Sequence, residues 1–105
     1  MSNTRLQKLL EFIKEEPEDV FLKYALAMEY LGLKDFENAK NYFEDVIKVD
    51  KNHVAAYYQL GKIFESLNDE TSAISIYEKG MEAAKLKNDT RSIREIRTAL
   101  DELMF

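Results

Sequence analysis

Cysteine and tryptophan are missing from the 105 residues, histidine and proline occur once each, and glycine occurs three times. Each scarcity removes a class of chemistry. Without cysteine there is no disulfide framework, no thiolate metal site and no cysteine nucleophile. The redox compartment is left undetermined, because a chain without disulfides can live in any of them. A lone histidine, His53, cannot supply a paired-imidazole metal motif, and the glycines form neither a phosphate-cradling loop nor a nucleophile elbow. No apolar run approaches the ~20 residues of a membrane span. The first stretch, MSNTRLQKLLEFIKEEPED, scatters charge through its apolar positions, whereas a signal peptide needs an unbroken apolar stretch of about 7–15 residues. A soluble, cytoplasmic protein is therefore expected. Positive charge is also in short supply: 15 Lys and Arg against 20 Asp and Glu give a net charge of −5. That is the wrong sign for binding a phosphate backbone or an anionic lipid surface, so neither nucleic acid nor membrane is expected as a partner.

What remains is a chain rich in Leu, Ala, Glu and Lys, with 46% apolar residues. That is enough apolar material to fold, and the mixture favours an all-α protein of one small domain. Leu6, Leu9, Leu10 and Ile13 recur at the spacing of one helical face, predicting a first helix over 4–15 that Ser2, Asn3 or Thr4 can cap. Pro17 stops it and suits the opening of a second helix, with Glu18 and Asp19 at its positive end. That second helix, about 20–33, is apolar on more than one side, and Gly32 with Lys34-Asp35 ends it. Further helices are predicted over about 36–49, 54–67 and 71–86. A last one, capped by Asp89 or Thr90, aligns Ile93, Ile96, Leu100 and Leu103. The count is about six.

Displacing the chain by 34 residues superimposes it on itself. Val20 falls on Val54, Tyr24 on Tyr58, Leu26 on Leu60, Leu33 on Leu67, Asp35 on Asp69 and Ala39 on Ala73. Conservative pairs join them: Ala27 with Gly61, Tyr30 with Phe64, Phe43 with Tyr77. Self-similarity at such a period marks stacked repeats, in which one unit cannot bury its apolar face alone. Small residues at Ala27, Gly61, Ala39 and Ala73 would let paired helices approach closely, and the aromatic positions would fill the space between repeats. The last helix fits the pattern only if the phase slips by two residues, with Ile93 and Ile96 beside Tyr57 and Leu60. That slip demands a longer fifth helix or a longer turn.

A 34-residue helix–turn–helix unit reading Leu26-Ala27, Tyr30, Ala39, Phe43 and then Leu60-Gly61, Phe64, Ala73, Tyr77 resembles the tetratricopeptide repeat. Lys23 departs from that pattern where a large apolar residue is usual, and Lys51 and Lys85 stand where a proline normally closes each unit. The resemblance implies an α-solenoid of antiparallel helix pairs in a right-handed superhelix. Within one domain it implies a capping helix at 1–16, repeats at 20–53 and 54–87, and a second capping helix at 89–105. It also implies protein or peptide ligands, or a partner helix, held on a concave face lined by the first helix of each unit. The residues that carry this expectation are Tyr24 and Met28 in the first repeat, Tyr58, Gln59 and Lys62 in the second, and Arg91 and Arg94 in the last helix. Phe21 and Leu31 share the first repeat's face, Ala55 and Glu65 the second's, and Glu95 and Thr98 the last helix's, with packing on the first helix as the plainer use of Phe21, Tyr24 and Leu31. A clamp for chaperone C-termini, known in some members, is not expected: its positions hold Tyr24, Met28, Gln59, Arg91 and Glu95.

The remaining polar features have plain structural uses. His53 is expected as an exposed loop residue before a helix. The run Glu15, Glu16, Glu18, Asp19 reads as a solvated turn, since the spacing and glycine of a calcium-binding EF-hand are missing. Arg91 and Arg97 have i,i+4 partners in Glu95 and Asp101, though Arg91, Arg94 and Arg97 could instead form a basic rim for an acidic peptide. No enzyme, metal site or cofactor is expected. Two readings stay open: an interaction module that takes a peptide or helix in its groove, and a self-associating stack, such as a homodimer through its terminal helices. The apolar tail Leu103-Met104-Phe105 could serve the second, or cap the last helix against the fifth.

Overall fold

A computed structural model of the chain describes residues 3–105, and among them every regular element is an α-helix. The helices are α1 (Thr4–Glu15), α2 (Val20–Gly32), α3 (Phe36–Val49), α4 (Val54–Ser66), α5 (Glu70–Leu86) and α6 (Thr90–Met104). They form two compact units divided after Asp50. In the first, α2 packs against both α1 and α3; in the second, α4, α5 and α6 all touch one another.

Every helix begins on a side chain that accepts a hydrogen bond from a backbone N–H of its first turn, which would otherwise be unpaired. Asn3 serves α1, Asp19 α2, Asp35 α3, Asp69 α5 and Asp89 α6. Of the caps expected for α1, Asn3 is the one used, and Ser2 lies outside the described residues. The expectation that Pro17 opens α2 is corrected: Pro17 and Glu18 form the turn, and the Asp19 carboxylate accepts from the Leu22 N–H at 3.0 Å. His53 is also corrected. It is half-buried, and its Nδ1 accepts from the Ala56 N–H at 3.1 Å, so it is the α4 cap. The repeat explains this, because His53 stands 34 residues after Asp19 and does the same work.

At the C-terminal ends of α2, α4 and α5 the left-handed backbone belongs to Lys34 (φ 60°), Asn68 (φ 60°) and Asn88 (φ 54°). Gly32, expected to end α2, is its last helical residue and keeps a negative φ.

The first unit's core is Leu26, Ala27, Ala39, Phe43 and Val46, all fully buried. Tyr24 meets Phe43 edge-on at 5.6 Å, and Tyr30 stacks on Tyr42 at 5.8 Å. Asn3, the cap of α1, and Arg5 in its first turn bind the two oxygens of Glu29 on α2, at 3.1 and 2.7 Å. In the second unit Leu60, Ile63, Ala73, Tyr77, Ala84 and Ile96 make the core. A Cβ at Gly61 would collide with the Tyr77 ring, and one at Gly80 would lie 2.7 Å from the Tyr57 Cβ. Phe43 and Tyr77 each make a ring contact within their own repeat, to Tyr24 and Tyr58. Lys23 keeps only 9% of its surface exposed, with its stem in the core, so it can do the packing of the apolar residue it replaces.

The expected phase slip is present in α5, which has 17 residues where α3 has 14. The turn after α5 is one residue shorter than the turn after α3, so α6 starts 36 residues after α4.

Candidate functional site

The second unit holds a cavity of about 200 Å³ between α4 and α6, lined by Ala55, Tyr58, Gln59, Ser92, Glu95 and Ile96. It exists because of the residues on each wall. Ala55 and Ser92 are small, so the two helices leave space at the surface, while Ile96 is fully buried and closes the floor. Tyr58 and Gln59 are each half-exposed on one wall, and Glu95 is exposed on the other. The Gln59 amide makes no hydrogen bond to any described residue, so a donor pair and an acceptor stand at the cavity wall. Drug-sized ligands occupy about 300–1,000 Å³. A cavity this size suits one side chain of a larger partner better than a nucleotide or organic cofactor.

A polar chain runs beside it along α4. The Lys62 ammonium stands 5.5 Å over the Tyr58 ring and 3.9 Å from Glu65. Glu65 accepts a 2.5 Å hydrogen bond from the Tyr77 hydroxyl, and the Tyr58 and Tyr77 rings are 6.2 Å apart. Burial pushes the Tyr77 phenol well above its ordinary range, and the hydrogen bond and negative charge of Glu65 push it further. That phenol is a fixed donor and not an acid at neutral pH.

Of the expected site residues, Tyr58 and Gln59 line the cavity and Lys62 abuts it. Arg91 turns to Glu95, with Nε 3.3 Å from the carboxylate. Arg94 is exposed, pairs with no described carboxylate, and takes no part in the lining. The Arg97–Asp101 pair expected on α6 does not form among the described residues. In the first unit Tyr24 is engaged by Phe43 and Met28 is 37% exposed. Phe21, expected to pack on α1, is 77% exposed. Glu95, expected on the groove through the phase-slipped last helix, lines the cavity; Ser92 was missed because the slip aligns it with Ala56, which is not a groove position. No group of three or more described His, Asp or Glu residues could hold a metal ion, and no described helix is long and apolar enough to cross a membrane.

A family model for the tetratricopeptide repeat matches residues 22–53 and again 54–90. The chain belongs to the tetratricopeptide repeat family. A tetratricopeptide repeat domain protein from Salinibacter ruber shares 34% identity and superimposes with a TM-score of 0.78, over 84% of this chain and 89% of that one. The TPR2B domain of yeast Sti1, solved as a complex with pHsp70, superimposes with a TM-score of 0.85 over 93% of this chain and 78% of that one. At 23% identity that likeness speaks to the fold. Among curated proteins, ycf37 of Pyropia yezoensis is 35% identical over 57 residues, which are 54% of this chain. The match spans 32% of ycf37, about a third of its length. Tetratricopeptide repeats are generally protein–protein interaction modules and not enzymes.

Proposed function

We propose that this tetratricopeptide repeat chain binds a peptide or partner helix, and that the α4–α6 cavity receives an anchoring side chain of that partner. The observation that carries the reading is the Gln59 amide at the wall of an otherwise apolar-floored cavity beside Tyr58. An amide that can donate and accept suits a peptide backbone, and a half-exposed tyrosine supplies contact area at small entropic cost. Lys62 and Arg94 would add polar contacts at the edge, Lys62 by exchanging its long contact with Glu65 for a partner's carboxylate. Tyr24, Met28 and Arg91 complete the set expected from the family groove. The Sti1 complex supports the reading in kind only, since its ligand belongs to that domain.

The test is affinity capture from native lysate, wild type beside a Tyr58→Ala/Lys62→Glu/Arg94→Glu variant of unchanged helicity and melting. A partner held by wild type and lost by the variant, and protecting α4 and α6 amides from exchange, supports the site. Identical partners for both proteins would rule it out.

Self-association has one observation in its favour. Leu86 at the end of α5 is 73% exposed, and Met104 and Phe105 at the end of α6 are 53% and 99% exposed. Sedimentation over a concentration series distinguishes it, because mass would then rise with concentration and no other protein would be required.

A further inference from the structure

The first unit carries a different surface, remote in sequence from the cavity just described and not part of that proposal. A cleft of about 470 Å³ lies where α1 meets α2, lined by Phe12, Glu15, Glu16, Asp19, Phe21 and Leu22. Phe12 and Phe21 are 55% and 77% exposed, although neither is needed to close the core beneath them. Two phenylalanines turned to water in one depression cost solvation that a polar residue would not, which marks an interaction surface.

The cleft is held in shape by backbone. The Glu16 N–H donates to the Phe12 carbonyl at 3.1 Å, and the Asp19 N–H donates to the Glu16 carbonyl at 3.2 Å. The turn that carries the acidic residues is therefore tied to the helix that carries Phe12. The rim has one sign of charge. Residues 11–19 hold five carboxylates and one cation, Lys14. Glu15 and Glu16 are exposed and pair with no cation among the described residues. Asp19 commits one oxygen to the α2 cap.

We infer that this cleft docks a partner segment presenting one aromatic or large aliphatic side chain flanked by lysine or arginine. The two phenylalanine rings receive the apolar side chain, and their π faces also attract the cations beside it. Glu15, Glu16 and the free oxygen of Asp19 set the sign of the flanks. Apolar contact supplies affinity and the carboxylate rim supplies selectivity and approach rate.

The probe is the blocked peptide Lys-Arg-Phe-Lys-Arg, titrated into the full chain labelled with nitrogen-15. The expected result is amide shifts concentrated in residues 12–22, with binding at least about tenfold weaker for the peptide with alanine in place of phenylalanine. A Glu15→Lys/Glu16→Lys variant should bind about fivefold more weakly, and a Phe21→Gln variant, altered at an exposed position, should not bind at all. Asp19 is left intact because it caps α2. Equal binding of the alanine peptide would show only attraction to an acidic surface and would overturn the inference. So would shifts centred on Tyr58 and Gln59, or no shifts. Concentration-dependent broadening of residues 12–22 without peptide, abolished by Arg94→Glu/Arg97→Glu, would make a second copy of the chain the occupant and equally overturn it.

Discussion

Two glycines show how one residue type takes opposite energetic signs. A helix-interior glycine is ordinarily about 1 kcal/mol worse than alanine, and Gly32, with nothing within 4 Å of its would-be Cβ, should follow that rule in part. Gly32→Ala should raise stability by about 0.5 kcal/mol. Gly61→Ala should lower it by about 1–3 kcal/mol, because the methyl group enters the Tyr77 ring and the buried ring cannot retreat. Urea unfolding of both variants checks the pair. Tyr77 gives a second residue-scale prediction. Its phenol is raised in the folded state, first by burial and then by Glu65. The neutral, hydrogen-bonded form is therefore what folding favours. That contribution is complete below about pH 10, the ordinary phenol value, and declines as pH rises above it. Tyr77→Phe should cost about 1 kcal/mol at neutral pH by leaving Glu65 without its donor, and should flatten the loss of stability above pH 10 in thermal melts.

Among the helices, the boundaries were mostly legible because the signals are local. An aspartate followed by an apolar-periodic run fixes the starts of α3, α5 and α6, and the 34-residue repeat pairs the first two, Asp35 with Asp69. Pro17 misled: it is a strong punctuation mark, yet the start of α2 was decided by a neighbour, Asp19, through its cap geometry. Gly32 with Lys34-Asp35 marked the end of α2 correctly, and the left-handed turn there belongs to Lys34. Lys34 occupies the left-handed region that its repeat partner Asn68 tolerates far better. Lys34→Asn should therefore stabilise the chain by about 0.5–1 kcal/mol, measured as a rise in Tm with helicity unchanged. Strictly local reading also explains what was missed at the candidate site. The sequence nominated Tyr58 and Gln59 through the repeat. It nominated Glu95 as well, through the phase slip that the three extra residues of α5 produce, but not Ser92, which that slip aligns with the buried Ala56. Exposure of Phe21 was equally hidden: an apolar residue in an apolar run reads as core until a neighbour fails to cover it.

Across the whole molecule, stability is unevenly distributed. The buried part of α1 is Leu9 alone, whereas α4 buries Val54, Ala56, Tyr57, Leu60, Gly61 and Ile63. Native-state hydrogen exchange should show α1 opening at a free energy well below the global value, while α4 and the Tyr77 turn of α5 exchange only by global unfolding. Equal protection of α1 and α4 would contradict this. The two units also differ in how their first-repeat helix is capped, carboxylate in one and imidazole in the other. An imidazole accepts only through the nitrogen that carries no hydrogen, so the cap assigns the acceptor role to Nδ1. Because the chain has one histidine, its ring protons are a solitary spectroscopic signal, a built-in gauge from which the integrity of one helix end can be read without any label.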